Sequence, residues 1–391
     1  MILRTISKSI LASANYSPVI LIQGPRQSGK STICKQLFSD KEYCNLEDLN
    51  EREFALSDPK GFLNRFPNGA IIDEIQKVPS LLSQMQVIVD ANQSTGKFII
   101  TGSENLQLSE KVGQTLAGRV AIHTLLPFSI QEADSAYRRD LNTTLFEGGY
   151  PRIVVLKAPA SQLLSDYITT YVERDVRSLL QIGDLAKFQK FLTLCASYVG
   201  QLLNKETLSS AIGISAVTIE RWLSILEATF VCFRLQPWNT QTTKRLTKTP
   251  KLYFYDTGLL CALLGIRSAT ELAHHPLRGN IFENLQMIEV LKFFLNKKES
   301  FHLSFFRDGK QNEVDIVIER GQQFLGIECK SSQTFHNDFL QGLSAFASFK
   351  SVKNLSQYVL LGGNENQNRS NFTILPWDGL AKELEVNSPV V

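Results

Sequence analysis

Gly24-Pro25-Arg26-Gln27-Ser28-Gly29-Lys30-Ser31 is the stretch of sequence that decides the fold of this chain. Its spacing, G-x-x-x-x-G-K-S, is that of a loop whose backbone N–H groups wrap the phosphates of a nucleotide. An apolar run, Val19-Ile20-Leu21-Ile22, precedes the loop and is typical of a buried parallel strand, and residues 32–38 after it indicate a helix. Strand, loop and helix together predict nucleotide contacts from the whole loop and from Thr32; a chance glycine-rich turn is the alternative.

The residue types in the loop and in a later strand predict the use of ATP with Mg²⁺. Lys30 is expected to reach the β- and γ-phosphates, and the hydroxyl of Ser31 is expected to hold Mg²⁺. The apolar run 70–72 ends in Asp73 and Glu74, at the end of a strand where ligands bind in open α/β sheets. We expect Asp73 to hold the Mg²⁺, directly or at one remove, and Glu74 to accept a proton from the attacking water or to orient it. A solvated turn is the alternative for such paired acids.

A further strand indicates that the site hydrolyses its nucleotide. The run Phe98-Ile99-Ile100 leads into Thr101-Gly102-Ser103, and Ser103 is the best candidate to touch the γ-phosphate or the water. A strand near residues 43–46 separates the loop from Asp73 along the chain, which suits P-loop enzymes that place a catalytic Glu beside the metal-binding acid. Hydrolysis is therefore predicted rather than nucleotide binding alone.

Arg119 is a candidate for stabilising γ-phosphate charge, either in its own subunit or in a neighbouring one. The equally weighted alternative is a salt bridge or an arginine-capped turn. Arg26, inside the loop itself, is a weaker candidate for the same role.

Two sets of stretches carry a resemblance to a known family. The first set is GPRQSGKS (24–31), DPKGFL (58–63), IIDEIQKVPSLL (71–82), FIITGS (98–103) and LAGRVAI (116–122). The second set is YVERDV (171–176), KTPKLYFYDTGLL (248–260), GNIFEN (279–284), NEVDIVIE (312–319) and IECKSS (327–332). Together they resemble a large prokaryotic family in which an AAA-type ATPase domain is joined to a C-terminal domain of unknown function. The resemblance spans nearly the whole chain and implies an ATPase of the AAA+ or related signal-transducing class.

Length and composition fit a chain of several globular domains. A chain of 391 residues is expected to form two or three domains, and the 20% charged and 43% apolar residues are typical of globular proteins. There is no apolar run of 18 residues and no signal-peptide pattern, so we predict a cytoplasmic protein without a membrane partner. The six cysteines lack metal-ligand spacing and are expected to be reduced core thiols.

The middle of the chain predicts a winged helix that binds duplex DNA. Helices are expected over residues 207–212 and 216–228, with Gly213 in the turn and strands over 230–235 and 252–255. The packing face of the second helix is assigned to Val217, Ile219, Trp222, Leu223 and Leu226. Residues 244–251, here called the basic run, carry four positive charges (Lys244, Arg245, Lys248 and Lys251) and no acid, and would form the wing. The alternative is a packing domain whose basic loop is solvated surface.

The last third of the chain resembles the core of PD-(D/E)xK nucleases. Strands are expected over 301–306, 313–318 and 324–330, with Asp315 on the second and Glu328-x-Lys330 on the third. Asp315 and Glu328 would share a divalent metal ion, and Lys330 would orient or activate a water. The resemblance implies that Glu283, from a preceding helix, completes the metal site. Val314 stands where the family pattern has proline, and an ion-pair cluster in a vestigial fold is the alternative.

These expectations give an α/β chain with four parts. They are an AAA-type P-loop ATPase domain over 1–140, a helical lid or connector over 141–200, a winged-helix domain over 201–270 and a restriction-endonuclease-like α/β domain over 271–391. We expect ATP and Mg²⁺ as cofactors, DNA as a partner, and a homo-oligomer, with a hexameric ring as one form. The predicted function is DNA processing, repair or defence driven by ATP. The alternative is an ATP-switched signalling or binding protein whose nuclease-like domain only recognises a nucleic acid or a protein partner.

Overall fold

The computed structural model describes residues 2–92, 94–103, 115–176, 184–239 and 246–386, with only the backbone described for residues 92 and 173–176. The chain divides into two compact units. The N-terminal unit comprises Met1–Phe128, Ala228–Phe230 and Leu295–Lys298, and the C-terminal unit comprises Ser129–Glu227, Val231–Phe294 and Glu299–Val391.

The N-terminal unit is built on a five-stranded sheet in which every pair of neighbouring strands is parallel. Its strands are β1 (Val19–Gln23), β2 (Glu42–Asn45), β3 (Ala70–Asp73), β4 (Phe98–Gly102) and β5 (Val120–Thr124). Their order in the sheet is β2-β3-β4-β1-β5, so β4 lies between the strand that precedes the loop and the strand that carries Asp73. The predicted α/β fold with a parallel sheet is confirmed for this unit.

Apolar side chains cover both faces of this sheet, because residues that alternate along a strand point to opposite faces. Val19 and Leu21 belong to one core layer, and Ile20 and Ile22 belong to the other. The helices and one short 3-10 turn of this unit are Ser7–Ala14, Lys30–Leu37, Leu49–Ser57, Pro59–Asn64, Ile75–Lys77 (3-10) and Ser80–Asn92.

The C-terminal unit contains a six-stranded mixed sheet with the order β12-β13-β11-β10-β9-β8. These strands are β8 (His302–Arg307), β9 (Glu313–Arg320), β10 (Gln323–Lys330), β11 (Leu355–Leu361), β12 (Gln367–Asn368) and β13 (Thr373–Pro376). One face packs Ile316, Ile318 and Ile327 with the long helix Arg278–Lys297, and the other face packs Val317 with Phe346 of the helix Gln341–Ala347. The strands β8, β9 and β10 lie where the sequence predicted them.

A two-helix segment followed by a short hairpin precedes this sheet. The helices Lys205–Ile212 and Ala216–Ala228 flank Gly213, which adopts φ 77° as the residue that ends the first helix. The antiparallel strands β6 (Cys232–Leu235) and β7 (Lys251–Phe254) form the hairpin. Of the predicted packing face, Val217 was assigned wrongly, since it is 80% exposed; Ile219, Trp222, Leu223 and Leu226 are buried. Val217 lies in the first turn of its helix, on the side opposite to the buried face.

The remaining helices of this unit lie before, between and after these elements. They are Ile130–Asp134, Leu141–Glu147, Pro151–Leu156, Ala160–Tyr167, the π-helix Ile168–Val176, Leu185–Ser197, Thr257–Leu263, Ala269–Ala273, the 3-10 helix Asn337–Leu340 and Leu380–Val386. Within the described part of the chain, no helix combines the length and the apolar character needed to cross a membrane. All six cysteines are buried free thiols, as the sequence predicted.

Candidate functional sites

The loop Gly24–Ser31 connects β1 to the helix Lys30–Leu37, whose first N–H groups have no partner within the helix. Gly24 has φ 149°, and a Cβ atom there would lie 2.2 Å from the carbonyl oxygen of Leu125. Gly29 caps the helix in a left-handed conformation, φ 96°. Both glycines are therefore required by the backbone itself, and the loop has the shape that the sequence predicted for binding phosphate.

Lys30 lies against the loop rather than in solvent. Its Nζ donates hydrogen bonds to the carbonyl oxygens of Gly24 (3.0 Å) and Pro25 (2.9 Å). Burial lowers the pKa of Lys30, and the nearby carboxylates of Glu74 and Asp73 oppose that shift. The ammonium is thus held at the loop before any nucleotide arrives.

Asp73, at the carboxyl end of β3, is the centre of a hydrogen-bond network. Its Oδ2 accepts from the hydroxyls of Ser31 (2.6 Å) and Tyr43 (2.7 Å), and its Oδ1 accepts from the hydroxyl of Thr101. The structure brings the two predicted Mg²⁺-binding residues, Ser31 and Asp73, into direct contact. Tyr43 and Thr101 are partners that the sequence did not reveal.

Glu74 follows Asp73 in a left-handed conformation, φ 59°, which is uncommon for a residue other than glycine. Its N–H donates to Oγ1 of Thr101 (3.1 Å), which fixes the turned backbone. Its Oε2 accepts from the hydroxyl of Ser103 (3.0 Å) and from the amide of Gln76, and that amide also donates to Ser103 (3.0 Å). Ser103 therefore contacts the predicted catalytic carboxylate and positions it.

A second group of predicted residues meets in the C-terminal unit. In the antiparallel pairing of β9 and β10, Ile316 faces Ile327, so the next pair along the ladder sets Asp315 opposite Glu328. The backbone N–H of Cys329 donates to Oδ2 of Asp315 (2.8 Å). Lys330 lies 2.6 Å from Oε1 of Glu328, because residues two apart on a strand share a face. We call the carboxylates of Glu283, Glu313, Asp315 and Glu328 the acid cluster.

Lys251 is part of this cluster, although the sequence placed it in the DNA-binding basic run. Its side chain is 1% exposed, and Nζ lies 2.9 Å from Glu283, 2.6 Å from Glu313 and 3.8 Å from Asp315. The predicted role of Lys251 in contacting DNA was therefore wrong. Lys251 is the first residue of β7, where it pairs with Leu235 of β6, and its side chain is buried. Lys244 and Arg245 lie outside the described residues, and Lys248 is exposed.

Comparison with known proteins assigns this chain to a protein family. Successive family models match an AAA domain over residues 16–133, a domain of unknown function (DUF8612) over residues 138–270 and a domain of unknown function (DUF4143) over residues 278–380. Over 321 residues the chain is 30% identical to the uncharacterized protein Rv2008c of Mycobacterium tuberculosis, covering 81% of this chain and 71% of that protein. The chain belongs to the same family as Rv2008c. Its N-terminal part is an AAA-type P-loop ATPase domain.

Other relatives are similar at lower levels. An uncharacterized protein of Haemophilus influenzae is 25% identical over 333 residues, which cover 73% of this chain and 80% of that protein. Among solved structures, the Walker-type ATPase PABY2304 of Pyrococcus abyssi aligns with a TM-score of 0.41 and 12% identity, over 66% of this chain and 94% of that one. The AAA domain match over residues 16–133 and the geometry of the loop Gly24–Ser31 support the ATPase assignment.

The other residues of the predicted nucleotide site lie in or next to the loop. Pro25 and Ser28 are buried, Arg26 is half-buried, and Gln27 and Thr32 are exposed. One residue that contacts the loop was not predicted. The guanidinium of Arg4 donates to the carbonyl oxygens of Ser28 (3.0 Å) and Leu126 (2.6 Å). Arg4 thereby links the phosphate loop to the segment that follows β5.

Arg119 does not lie at the nucleotide site of its own subunit. Its carbonyl oxygen accepts from the N–H of Val19, the first residue of β1, whereas the phosphate loop follows the last residue of that strand. The two ends are separated by roughly 15 Å of strand. The guanidinium forms a two-pronged salt bridge with Asp90, at 2.5 and 3.0 Å. The own-subunit role was therefore wrong, and a contact with a neighbouring subunit's nucleotide stays a prediction.

Burial and nearby negative charge favour the protonated forms of two members of the acid cluster, Glu283 and Glu328. Burial raises the pKa of Glu283 to about 7, against the opposing effect of Lys251. Burial and the charge of Asp315 raise the pKa of Glu328 well above its ordinary value. Burial alone would lower the pKa of Lys251, but Glu283, Tyr253, Asp315 and Glu313 together raise it well above the usual range. The protonated form of Lys251 is therefore favoured beside Glu283, whose protonated form burial also favours.

The two sites differ in their fit to a metal ion. Ser31 and Asp73 suit Mg²⁺, which is held in proteins by one or two carboxylate or hydroxyl ligands together with phosphates and waters. No group of three or more His, Cys, Asp or Glu side chains suited to holding a metal is present among the described residues. In the acid cluster, the ammonium of Lys251 contacts the carboxylates of Glu283 and Glu313. Because these carboxylates are already paired with a cation, a divalent ion does not fit there together with Lys251.

Proposed function

We propose that this protein hydrolyses ATP with Mg²⁺ at the loop Gly24–Ser31. The observation that carries the proposal is the contact of Ser31 with Asp73, with Glu74 next in the chain and held by Ser103. Nucleotide binding alone requires the phosphate loop. A carboxylate positioned next to the metal-binding acid is suited, in addition, to orienting or deprotonating the attacking water.

The chain's own residues divide the work of the proposed reaction. Lys30 exchanges the carbonyl oxygens of Gly24 and Pro25 for phosphate oxygens and stabilises their charge. Glu74 orients the water and takes its proton as the water oxygen bonds to the γ-phosphorus. The bond from that phosphorus to the β–γ bridging oxygen breaks, and ADP leaves. Ser103 and Gln76 fix the carboxylate in place. Ser31 and Asp73 would hold Mg²⁺, which when bound would supply positive charge to the phosphate oxygens.

Nucleotide binding is tested with Lys30→Ala and a matched control. A fluorescent ATP analogue, titrated with Mg²⁺, should bind the parent protein and lose affinity at least tenfold in Lys30→Ala, because the buried ammonium is removed. Lys60→Ala removes an exposed lysine elsewhere in the same unit and should bind like the parent. Equal affinity of Lys30→Ala and the parent would contradict the proposal.

DNA is the proposed partner of the two-helix segment and its hairpin. Support comes from the exposed Arg221 on the second helix and from the exposed Lys248 within the basic run. Replacing Lys244, Arg245 and Lys248 with Ala should weaken binding to duplexes of any sequence and flatten the salt slope by about 0.9 for each phosphate that is no longer neutralised. Removing three exposed lysines elsewhere (Lys8, Lys60 and Lys77) is the charge-matched control. Equal losses of affinity in both triple variants would contradict a DNA site at the basic run.

A homo-oligomer, with a hexameric ring as one form, is proposed for the nucleotide-bound state on the AAA match alone. Sedimentation of the protein with ATP and Mg²⁺, using Glu74→Gln to prevent turnover, should give a species larger than a monomer. A nucleotide-bound monomer at micromolar concentration would contradict this.

The second candidate function is an ATP-switched binding protein that does not cleave nucleic acid. The observation that favours it is the ammonium of Lys251 in the acid cluster, where a nuclease of the PD-(D/E)xK type would hold its metal ion. Cleavage by Asp315, Glu328 and Lys330 stays a prediction. Nicking of a plasmid in the presence of Mg²⁺ or Mn²⁺, abolished by Asp315→Ala, would favour the nuclease, and no nicking would favour the binding protein.

A further inference from the structure

Two residues of one strand donate hydrogen bonds to the acid cluster. Lys251 and Tyr253 lie two residues apart on β7, so their side chains share a face. The ammonium of Lys251 and the hydroxyl of Tyr253 both reach Oε1 of Glu283, at 2.9 and 2.6 Å. Lys251 extends further, to Oε1 of Glu313 at 2.6 Å. The hairpin strand is thus fastened to the long helix and to the six-stranded sheet through one buried cation.

The charges of the cluster are only partly balanced without this lysine. Lys330 contacts Glu328, and Arg307 contacts Glu313 at 2.7 Å, at the outer side of the cluster. Oε2 of Glu328 is buried and has no hydrogen-bond partner among the described residues. If Lys251 were absent, Glu283, Asp315 and Glu328 would form a buried carboxylate site with unmatched charge, which is the kind of site that a hard divalent cation fills.

We propose that Lys251 is the resident cation of the acid cluster, and that a divalent metal ion binds there only when the Lys251 ammonium is absent from it. The ammonium and a metal ion would compete for the same carboxylate oxygens. Two cations bound to the same carboxylates in a buried site would also repel each other strongly. The inference concerns the C-terminal unit and does not depend on ATP hydrolysis, so its failure leaves the ATPase proposal intact.

The test uses the full chain, without nucleotide, and Mn²⁺ as the probe. Free Mn²⁺ is measured by electron paramagnetic resonance for the parent, for Lys251→Met and for Lys248→Met, an exposed lysine of the same run. For the parent and for Lys248→Met, adding Asp315→Asn should leave the uptake of Mn²⁺ unchanged. Lys251→Met should take up one Mn²⁺ per chain, and adding Asp315→Asn should abolish that uptake.

A second variant covers the case in which Lys251→Met does not fold, since it leaves buried carboxylates unpaired. Lys251→Met with Glu313→Gln removes one cation and one anion and keeps Glu283, Asp315 and Glu328. It should also take up one Mn²⁺ per chain, and its melting temperature should rise with added Mn²⁺ while that of the parent should not. The proposal is overturned if the parent takes up one Mn²⁺ that Asp315→Asn abolishes, or if a folded Lys251 variant takes up none.

Discussion

The hydroxyl of Tyr43 donates a 2.7 Å hydrogen bond to Oδ2 of Asp73, the same oxygen that accepts from Ser31. The two residues lie on neighbouring parallel strands, with Asn45 of β2 facing Asp73 of β3. The ammonium of Lys35 lies 3.5 Å from the centre of the Tyr43 ring, which helps to hold the ring in place. Tyr43 therefore orients the carboxylate that is proposed to bind Mg²⁺.

Tyr43→Phe should weaken the use of Mg²⁺ without abolishing nucleotide binding. The hydrogen bond that this variant lacks is worth about 1 kcal/mol, so the Mg²⁺ concentration for half-maximal hydrolysis should rise about fivefold. Titration of Mg²⁺ at fixed ATP measures this, with the exposed Tyr16 changed to Phe as the control. A Mg²⁺ dependence equal to that of the parent would remove Tyr43 from the site.

Ser103→Ala should lower the rate of hydrolysis and leave the affinity for ATP unchanged. The hydroxyl contacts Oε2 of Glu74, so its loss frees the carboxylate to rotate. We expect kcat to fall about tenfold, equivalent to ~1.4 kcal/mol, and KM for ATP to stay the same. A rise in KM with normal kcat would instead place Ser103 on the nucleotide, as the sequence first indicated.

Arg119→Ala and Asp90→Ala should behave alike, because the two side chains form one salt bridge. Arg119 lies at the amino end of β1, away from the phosphate loop. Each variant should keep its ATPase rate within about twofold of the parent, as expected for an exposed ion pair. Loss of activity in Arg119→Ala alone would place this arginine at the nucleotide of a neighbouring subunit.

His123 should make the N-terminal unit sensitive to acid. Its ring is buried, Nε2 lies 3.0 Å from the hydroxyl of Ser13, and burial together with Lys298 lowers its pKa from 6.5 to about 4. As the pH falls from 6.5 to 4, the unfolded chain takes up the proton first, so the free energy of unfolding falls, by about 3 kcal/mol in total. Above pH 6.5 this contribution is constant.

Urea unfolding between pH 4 and pH 7.5 checks this prediction. His123→Gln keeps a polar group beside Ser13 and cannot be protonated, so its stability should depend less steeply on pH in this range. The exposed His274, changed to Gln, is the control and should follow the parent. Identical pH profiles for His123→Gln and the parent would contradict the prediction.

The sequence predicted the parts of the nucleotide site that local pattern defines. The loop, its flanking strand and helix, and the acids after β3 follow from spacing and hydrophobic runs, and each lies where it was expected. Tyr43 and Thr101 were missed because their contacts with Asp73 depend on which strands are neighbours. The order β2-β3-β4-β1-β5 determines that, and no local pattern records it.

Lys251 and Arg119 show a second limit. A run of basic residues is usually solvated, so Lys251 was taken as surface, yet its burial depends on carboxylates 32 to 64 positions later in the chain. Arg119 lies close in sequence to the strand that was expected to sense the phosphate. The parallel pairing of β1 and β5 nevertheless places Arg119 at the amino ends of these strands, whereas the phosphate loop lies at the carboxyl end of β1. In both cases the charge is visible in the sequence and its partner is not.

Phosphate release from ATP by the parent and by Glu74→Gln tests the central claim most directly. With Mg²⁺ present, the parent should release phosphate over many turnovers, and EDTA should stop the reaction. Glu74→Gln should bind the fluorescent ATP analogue as the parent does and turn over at least about 100-fold more slowly, because it lacks the base that accepts the proton of water. Equal phosphate release by the parent and by Glu74→Gln would contradict the account.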